Sequence, residues 1–226
     1  MFFCQICDNI FKLYLTPLSM KTLEELTMPF NLAELNFKFH KYYSQGRIER
    51  TELDSIPLCA LKLFEGYSMQ LILPEDYVPR NFSNVLVLSH DNSYNTYIVS
   101  QIKRFHNVGT HTESLLYLGD VNSKNELLGK ITLIFNLTSE SVYFKNKPRV
   151  GFHETFINPR QGLGARRLRV LNALSMAIYD LPLNSDSLLM SYAGNLWEKL
   201  VSTGEAIKYK DGTNDRFNTR YRFKIR

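Results

Sequence analysis

The stretch VGFHETFINPRQGLGARRLRVLNALSMAIY, residues 150–179, contains a strand, a glycine turn and a helix in immediate succession. Val150–Ile157 is rich in β-branched and aromatic residues, and Asn158-Pro159 ends this predicted strand. Ala165–Tyr179 predicts a helix, because its apolar residues recur every three or four positions. These residues are Leu168, Leu171, Leu174 and Ile178. A strand that leads through glycines into a helix is typical of a domain with both element types.

Short apolar segments continue this pattern on both sides. Five earlier segments predict antiparallel strands, at Met69–Leu73, Val85–Leu88, Thr96–Ile102, Ser114–Leu118 and Leu128–Phe135. The later segments predict a strand at Leu188–Met190, a helix at Ala193–Val201 and strands at Ala206–Lys210 and Arg220–Ile225. The predicted fold class is therefore α/β in the broad sense (α+β), with a mixed, mostly antiparallel sheet and flanking helices.

The N-terminal part of the chain has a different periodicity. Its apolar residues recur at helical intervals, and Thr22 and Glu25 have the spacing of a capping box. We therefore predict a helical N-terminal segment over residues 1–66 and an α/β domain over residues 67–226. The helical segment is expected to be an accessory element that contributes to substrate or partner selection.

Composition indicates a globular protein with an uneven charge. Of its 226 residues 44% are hydrophobic and 22% charged, which excludes general disorder. The net charge is +5, but residues 145–226 carry 15 Lys/Arg against 7 Asp/Glu. A basic C-terminal part favours an anionic partner, such as a phosphate-bearing cofactor, a nucleic acid or an acidic protein surface. A solvated basic face is the equally weighted alternative.

Cysteine usage and the N-terminus indicate a cytoplasmic protein. The chain has three cysteines (Cys4, Cys7 and Cys59), too few for a disulfide framework or a four-ligand zinc site. Residues 1–20 lack the basic n-region of a signal peptide and are interrupted by charged residues, so no membrane partner is expected.

Four segments, in this order, resemble motifs of the Gcn5-related N-acetyltransferases. They are LLGKITL (127–133), GFHETFINP (151–159), RQGLGA (160–165) with its helix, and AGNLWEKL (193–200). The last is similar to the family's Ala-x-x-Leu-Tyr-Glu-Lys-Leu helix. The resemblance implies an acyl-CoA N-acyltransferase-like fold, acetyl-CoA as co-substrate, and an amine acceptor on a small molecule or macromolecule. It also implies that the sheet splits beside the strand that holds Glu154, which admits the pantetheine arm.

The glycine turn is the predicted cofactor site. Backbone N–H groups at the start of a helix, with the helix dipole behind them, form a site for a pyrophosphate such as that of acetyl-CoA. The predicted cofactor-binding residues are Phe156, Ile157, Arg160, Gln161, Gly162, Leu163, Gly164, Ala165, Arg166 and Arg167. Glycine is expected there because a Cβ would block the phosphate oxygens.

Acyl transfer to an amine needs a base for the ammonium proton and an acid for the leaving thiolate. The resemblance implies that Glu154 is the base, and a solvent-facing carboxylate is the alternative interpretation. His153 should point to the opposite face of the strand. Trp197 occupies the position of the family's usual tyrosine, so Tyr192 is the predicted acid, with Ser191 as a substitute.

Three functions follow, of which an acyl-CoA-dependent N-acyltransferase is preferred. The second is a catalytically inactive module that binds a protein, favoured by Trp197. The third is an enzyme of the same type that acts on nucleic acid, suggested by basic and aromatic alternation in residues 216–226. For that stretch a half-buried strand with Tyr221, Phe223 and Ile225 inward is the preferred interpretation.

Overall fold

A six-stranded antiparallel sheet is the centre of the fold, as seen in a computed structural model. The model describes residues 31–52, 55–59, 85–90, 93–105, 111–136, 147–156, 162–186, 191–210 and 219–225. The strands are β1 Arg47–Thr51, β2 Val85–Ser89, β3 Tyr94–Phe105, β4 His111–Asn122, β5 Leu127–Asn136 and β6 Arg149–Thr155. Each strand pairs with the next along the chain, so spatial order follows sequence order.

Three helices and a two-stranded sheet complete the described elements. The helices are α1 Leu32–His40, α2 Leu163–Tyr179 and α3 Ser191–Ser202, and the small sheet pairs β7 Ala206–Lys210 with β8 Thr219–Phe223. No helix within these described ranges is long and apolar enough to span a membrane.

Residues 183–186, which we call the joining segment, connect the two sheets. Asn184 forms a parallel bridge with the beginning of β6 and an antiparallel bridge with Arg222 of β8. The Val150 N–H donates to the Asn184 carbonyl at 2.9 Å, and the Asn184 N–H donates to the Pro148 carbonyl at 2.8 Å. The joining segment therefore lies between β6 and β8 as a short central strand.

Alternation along the strands places clusters of buried apolar residues on both faces of the large sheet. The main core contains apolar residues of all three helices, and Phe39 of α1, Leu171 of α2 and Leu200 of α3 are nearly inaccessible to solvent. The smaller core, on the other face, contains Val99 and Tyr117. Burial of this apolar area is the main source of stability for such a fold.

Strand β1 is a correction to the helical prediction for residues 1–66. Arg47–Thr51 pairs with the whole of β2, and its single apolar residue, Ile48, is buried in the main core. Asn36 of α1 stabilises this pairing, since its amide donates to the Ile48 carbonyl at 2.7 Å and accepts from the Ile48 N–H at 2.9 Å. Both α1 and β1 contribute buried residues to the main core, and the accessory role of the N-terminal segment stays a prediction. The boundary at residue 66 lies outside the described residues.

The other predicted elements within the described ranges are confirmed, with ends shifted by a few residues. The predicted strand Ala206–Lys210 has the observed bounds, and the predicted helices 165–179 and 193–201 are each observed with extensions of one or two residues. Met69–Leu73 and Leu188–Met190 lie outside the described residues. A mixed α+β fold with a mostly antiparallel sheet is therefore confirmed.

Candidate functional site

The N-terminus of α2 presents backbone donors that the helix itself does not use. Its N-cap, Gly162, has φ 74° and forms no side-chain cap. The first intrahelical bond runs from the Arg166 N–H to the Gly162 carbonyl at 3.2 Å. The N–H groups of Leu163, Gly164 and Ala165 therefore precede the helical ladder, at the positive end of a 17-residue helix. This geometry suits an anion.

Glycine is needed at the two positions of the turn for different structural reasons. Gly162 needs the left-handed conformation, and a Cβ there would meet no atom within 4 Å. A Cβ on Gly164 would lie 3.3 Å from Leu196 Cδ2 and 3.4 Å from His153 Cε1. Gly164 therefore allows α2 to approach α3 and β6 closely. This packing role differs from the role predicted for Gly164, which was to give phosphate oxygens access to the turn.

The arginines of α2 are mostly engaged within the protein. Arg167 is 1% exposed, and its Nη1 lies 2.9 Å from Asp120 Oδ2. Arg169 binds both carboxylate oxygens of Glu205, at 2.7 and 2.8 Å. Arg166 is half-buried at the first turn of the helix. The prediction that Arg167 contacts phosphate is corrected, because its charge is neutralised inside the core.

Arg167 is the centre of a buried polar network that spans the sheet. It donates from Nη1 to Asp120, from Nη2 to Thr155 Oγ1 and from Nε to His153 Nε2, the last at 3.4 Å. The Thr96 hydroxyl donates to the second Asp120 oxygen at 2.6 Å. Burial raises the pKa of Asp120 above its ordinary value, and the contacts with Arg167 and Thr96 oppose that shift. Since the guanidinium stays charged, Asp120 supplies the compensating negative charge.

His153 is a neutral acceptor in this network. Burial, reinforced by the Arg167 charge, lowers the pKa of His153 from 6.5 to about 3. Its Nε2 accepts from Arg167, so the hydrogen of the neutral ring is on Nδ1. His153 therefore contributes to packing and orientation rather than proton transfer.

A cavity of about 300 Å³ opens at the same end of the sheet. It is lined by Gln45, Gly46, His90 and Arg166. The His90 ring stacks on Tyr94 with centroids 4.2 Å apart, and Arg166 donates to the Tyr94 hydroxyl at 2.8 Å. Burial raises the pKa of Tyr94 to about 12, so its hydroxyl stays protonated at neutral pH.

One edge of strand β6 pairs with β5. The Phe156 N–H donates to the Leu128 carbonyl of β5 at 3.0 Å. In an antiparallel ladder the intervening residues direct their backbone groups to the other side. The backbone groups of His153 and Thr155 therefore face away from β5. Near the start of β6, the joining segment bonds to Pro148 and Val150 through the backbone of Asn184.

Glu154 lies on the sheet face opposite His153, as strand alternation predicts. It is paired with Lys130 of β5, whose Nζ lies 3.4 Å from Glu154 Oε2. The Glu154 side chain is 42% exposed. Phe152 and Phe156, two residues before and after it, are also exposed. This face of β6 thus combines a carboxylate, an ammonium and two aromatic rings.

The two aromatic residues of α3 differ in accessibility. Trp197 is buried, with its ring centroid 5.9 Å from Tyr221 and 5.3 Å from Phe223. Tyr192 is 58% exposed, one helical turn before Leu196, which borders Gly164. Trp197 is therefore a packing residue, whereas the Tyr192 ring is accessible. Tyr221 and Phe223 of β8 are buried, as predicted, so their rings are not accessible to stack on bases. The inward orientation predicted for Ile225 is wrong, because this residue lies beyond the end of β8 and is 69% exposed.

Three predicted residues, Ile157, Arg160 and Gln161, lie outside the described part of the chain. Asp120 and Lys130 were not predicted as site residues. A carboxylate inside the apolar run SLLYLGDV (114–121) is the signal that predicts a buried partner for Asp120. No such signal distinguishes Lys130 from other strand lysines. Within the described ranges no group of three His, Cys, Asp or Glu is placed to hold a metal.

No protein-family model matches the chain, and no curated protein matches it in sequence.

Proposed function

We propose that the chain is an acyl-CoA-dependent N-acyltransferase that transfers an acetyl or similar acyl group to an amine. The observation that carries this proposal is the uncapped N-terminus of α2, which follows β6 along the chain. Its three N–H groups that precede the helical ladder suit a pyrophosphate. Two of the four segments that resemble N-acetyltransferases, residues 151–159 and 160–165, include most of β6 and the beginning of α2.

The cofactor would lie along the edge of β6 that faces away from β5. Its pyrophosphate would accept from the N–H groups of Leu163, Gly164 and Ala165, with Arg166 beside them. Its pantetheine amides would pair with backbone groups of His153 and Thr155. Ile157, Arg160 and Gln161 stay predicted cofactor residues. Phe156 contributes its exposed ring, because its N–H is already bonded to β5.

The reaction forms one N–C bond and breaks one C–S bond. The amine nitrogen attacks the thioester carbonyl, and Glu154 takes the proton that the nitrogen loses. Tyr192 donates a proton to the departing thiolate. Because general acids and bases each contribute about 10²–10⁴-fold in rate, Glu154→Gln and Tyr192→Phe should each reduce turnover by that order. Stabilisation by acetyl-CoA should be retained in both, and turnover equal to the parent would refute these roles.

Cofactor binding is tested with two matched glycine variants. Gly162 and Gly204 have φ values of 74° and 75°, and a Cβ at either would meet no atom within 4 Å. Substitution of either glycine by alanine should therefore lower the free energy of unfolding by about 1–2 kcal/mol, because alanine is strained in the left-handed conformation. Acetyl-CoA at a hundred times its Kd should stabilise the parent and Gly204→Ala by about 2.7 kcal/mol. Gly162→Ala should lose that gain in thermal unfolding. Equal stabilisation of both variants would contradict a cofactor site at the turn.

A second candidate is a non-catalytic module of the same fold. The burial of Trp197 favours it, because an indole packed in the core supplies no acid to the cleft. This candidate predicts that acetyl-CoA stabilises the protein or leaves it unchanged, with no acyl transfer to any amine and no slow hydrolysis of the thioester. A cytoplasmic location stays a prediction under either candidate.

A further inference from the structure

The ammonium of Lys130 is held against the proposed catalytic carboxylate. Its Nζ lies 3.4 Å from Glu154 Oε2, 4.9 Å from the centroid of Phe152 and 5.5 Å from that of Phe156. The side chain starts on β5 but ends over residues of β6. It is 20% exposed, half as much as the Glu154 side chain.

A carboxylate flanked by two aromatic rings is a chemical environment that selects a cation. The carboxylate attracts the cation directly, and the electron-rich faces of the rings attract it at longer range. In this chain the cation is a primary ammonium, the same group that an N-acyltransferase deprotonates in its acceptor. Lys130 therefore occupies the position of an acceptor amine next to the proposed base.

We infer that Lys130 is acylated by its own chain, an inference that rests on the proposed function. Glu154 takes one proton from the Lys130 ammonium and releases it to solvent, and the resulting amine attacks the thioester carbonyl. Glu154 then takes the second proton, which the nitrogen loses as the amide forms. The new bond is an amide between Nζ and the acyl carbon. The C–S bond breaks, and the thiolate receives its proton from Tyr192. Because nucleophile and cofactor are held on one chain, the step is unimolecular in protein.

Acylation changes the site that it modifies. An acylated lysine has no charge, so the ion pair with Glu154 and both cation–π contacts are lost. Glu154 is then released to receive the ammonium of a second, external acceptor between the same two rings. Lys130 acylation is thus a step that opens the acceptor position.

The test compares Lys130 with Lys208 after incubation of the full chain with acetyl-CoA. Lys208 is a matched control because its Nζ lies 2.5 Å from Glu198 and 5.8 Å from the Tyr221 centroid, with 49% of the side chain exposed. The hydrogen bond with Glu198 raises the pKa of Lys208, which offsets part of the advantage of its exposure in spontaneous acetylation. The proposed step favours Lys130 and depends on Glu154, whereas acetylation of Lys208 does not. Peptide mass spectrometry over time measures both sites.

The inference requires Lys130 to be acetylated before Lys208, at a rate independent of protein concentration. Glu154→Gln should slow Lys130 by about 10²–10⁴-fold and leave Lys208 unchanged. Lys130→Arg should remove the modified peptide and retain stabilisation by acetyl-CoA. If acetyl-CoA stabilises the parent and external amines are acetylated but Lys130 is not, this inference fails and the proposed function stands. If acetyl-CoA neither stabilises nor acetylates the protein, both fail.

Discussion

Acidification from pH 7 to pH 5 should destabilise the fold through His153. The pKa of this buried imidazole is lowered from 6.5 to about 3, because burial and the Arg167 charge both disfavour its protonated form. Between these two values the unfolded chain binds a proton that the folded chain does not. The free energy of unfolding must therefore decrease as the pH falls below 6.5, and the loss continues until about pH 3.

The size of the effect follows from the unfolded-state pKa. At 1.36 kcal/mol for each pKa unit, the His153 contribution to the loss between pH 7 and pH 5 is about 2 kcal/mol. Urea denaturation of the parent and of His153→Gln at both pH values isolates this contribution. Glutamine does not titrate and retains an acceptor for the Arg167 Nε–H.

Between pH 7 and pH 5, the free energy of unfolding of the parent should decrease by about 2 kcal/mol more than that of His153→Gln. Other titrating groups contribute equally to both proteins, so they cancel in the difference. Equal losses would show that the imidazole is protonated in the folded state, and the assignment of Nε2 as an acceptor would then be wrong.

Two further predictions concern the core. Asp120→Asn leaves the Arg167 charge buried without its counter-ion. It should therefore lower the free energy of unfolding, measured by urea denaturation, by about 3–5 kcal/mol. Asp120→Asn combined with Arg167→Met should cost less than the sum of the two single variants, and additivity would contradict their coupling. Phe39→Ala should cost about 3–5 kcal/mol, because Phe39 is fully buried. Phe37→Ala, on the same helix and 67% exposed, should change stability by about 0.5 kcal/mol or less. Similar losses in the two phenylalanine variants would refute the docking of α1 on the core.

Local pattern predicted most elements but not β1. Helix α2 was predictable because its apolar stripe has the period of a helix, and β7 because it is bounded by turn residues. Arg47–Thr51 has four polar residues around Ile48, so no local signal of a buried strand exists. It forms a strand because β2 supplies the backbone partners and Asn36 supplies the side-chain contacts. Such tertiary pairing overrides local propensity.

The glycine turn at the start of α2 was predictable from the sequence, but the contacts of the arginines that follow it were not. Arg166, Arg167 and Arg169 are equivalent in sequence, being cations just after a glycine turn. Their different roles depend on which carboxylate meets each one, Asp120 for Arg167 and Glu205 for Arg169. Those contacts join positions 36 to 47 residues apart in the chain, which spacing rules for single elements do not reach.

The buried Arg167 pair connects the core to β6. Arg167 bonds to the side chains of His153 and Thr155, two residues whose backbone groups face away from β5. A buried ion pair adds little net stability, since desolvation offsets most of the attraction, but removal of one partner is costly. Its consequence here is geometric, because Arg167 fixes the end of β6 to the N-terminal part of α2. A ligand bound between a strand and a helix that are already fixed to each other would lose less free energy to ordering the protein. At the proposed cofactor site, Arg167 would therefore act as a positioning residue rather than as a phosphate ligand.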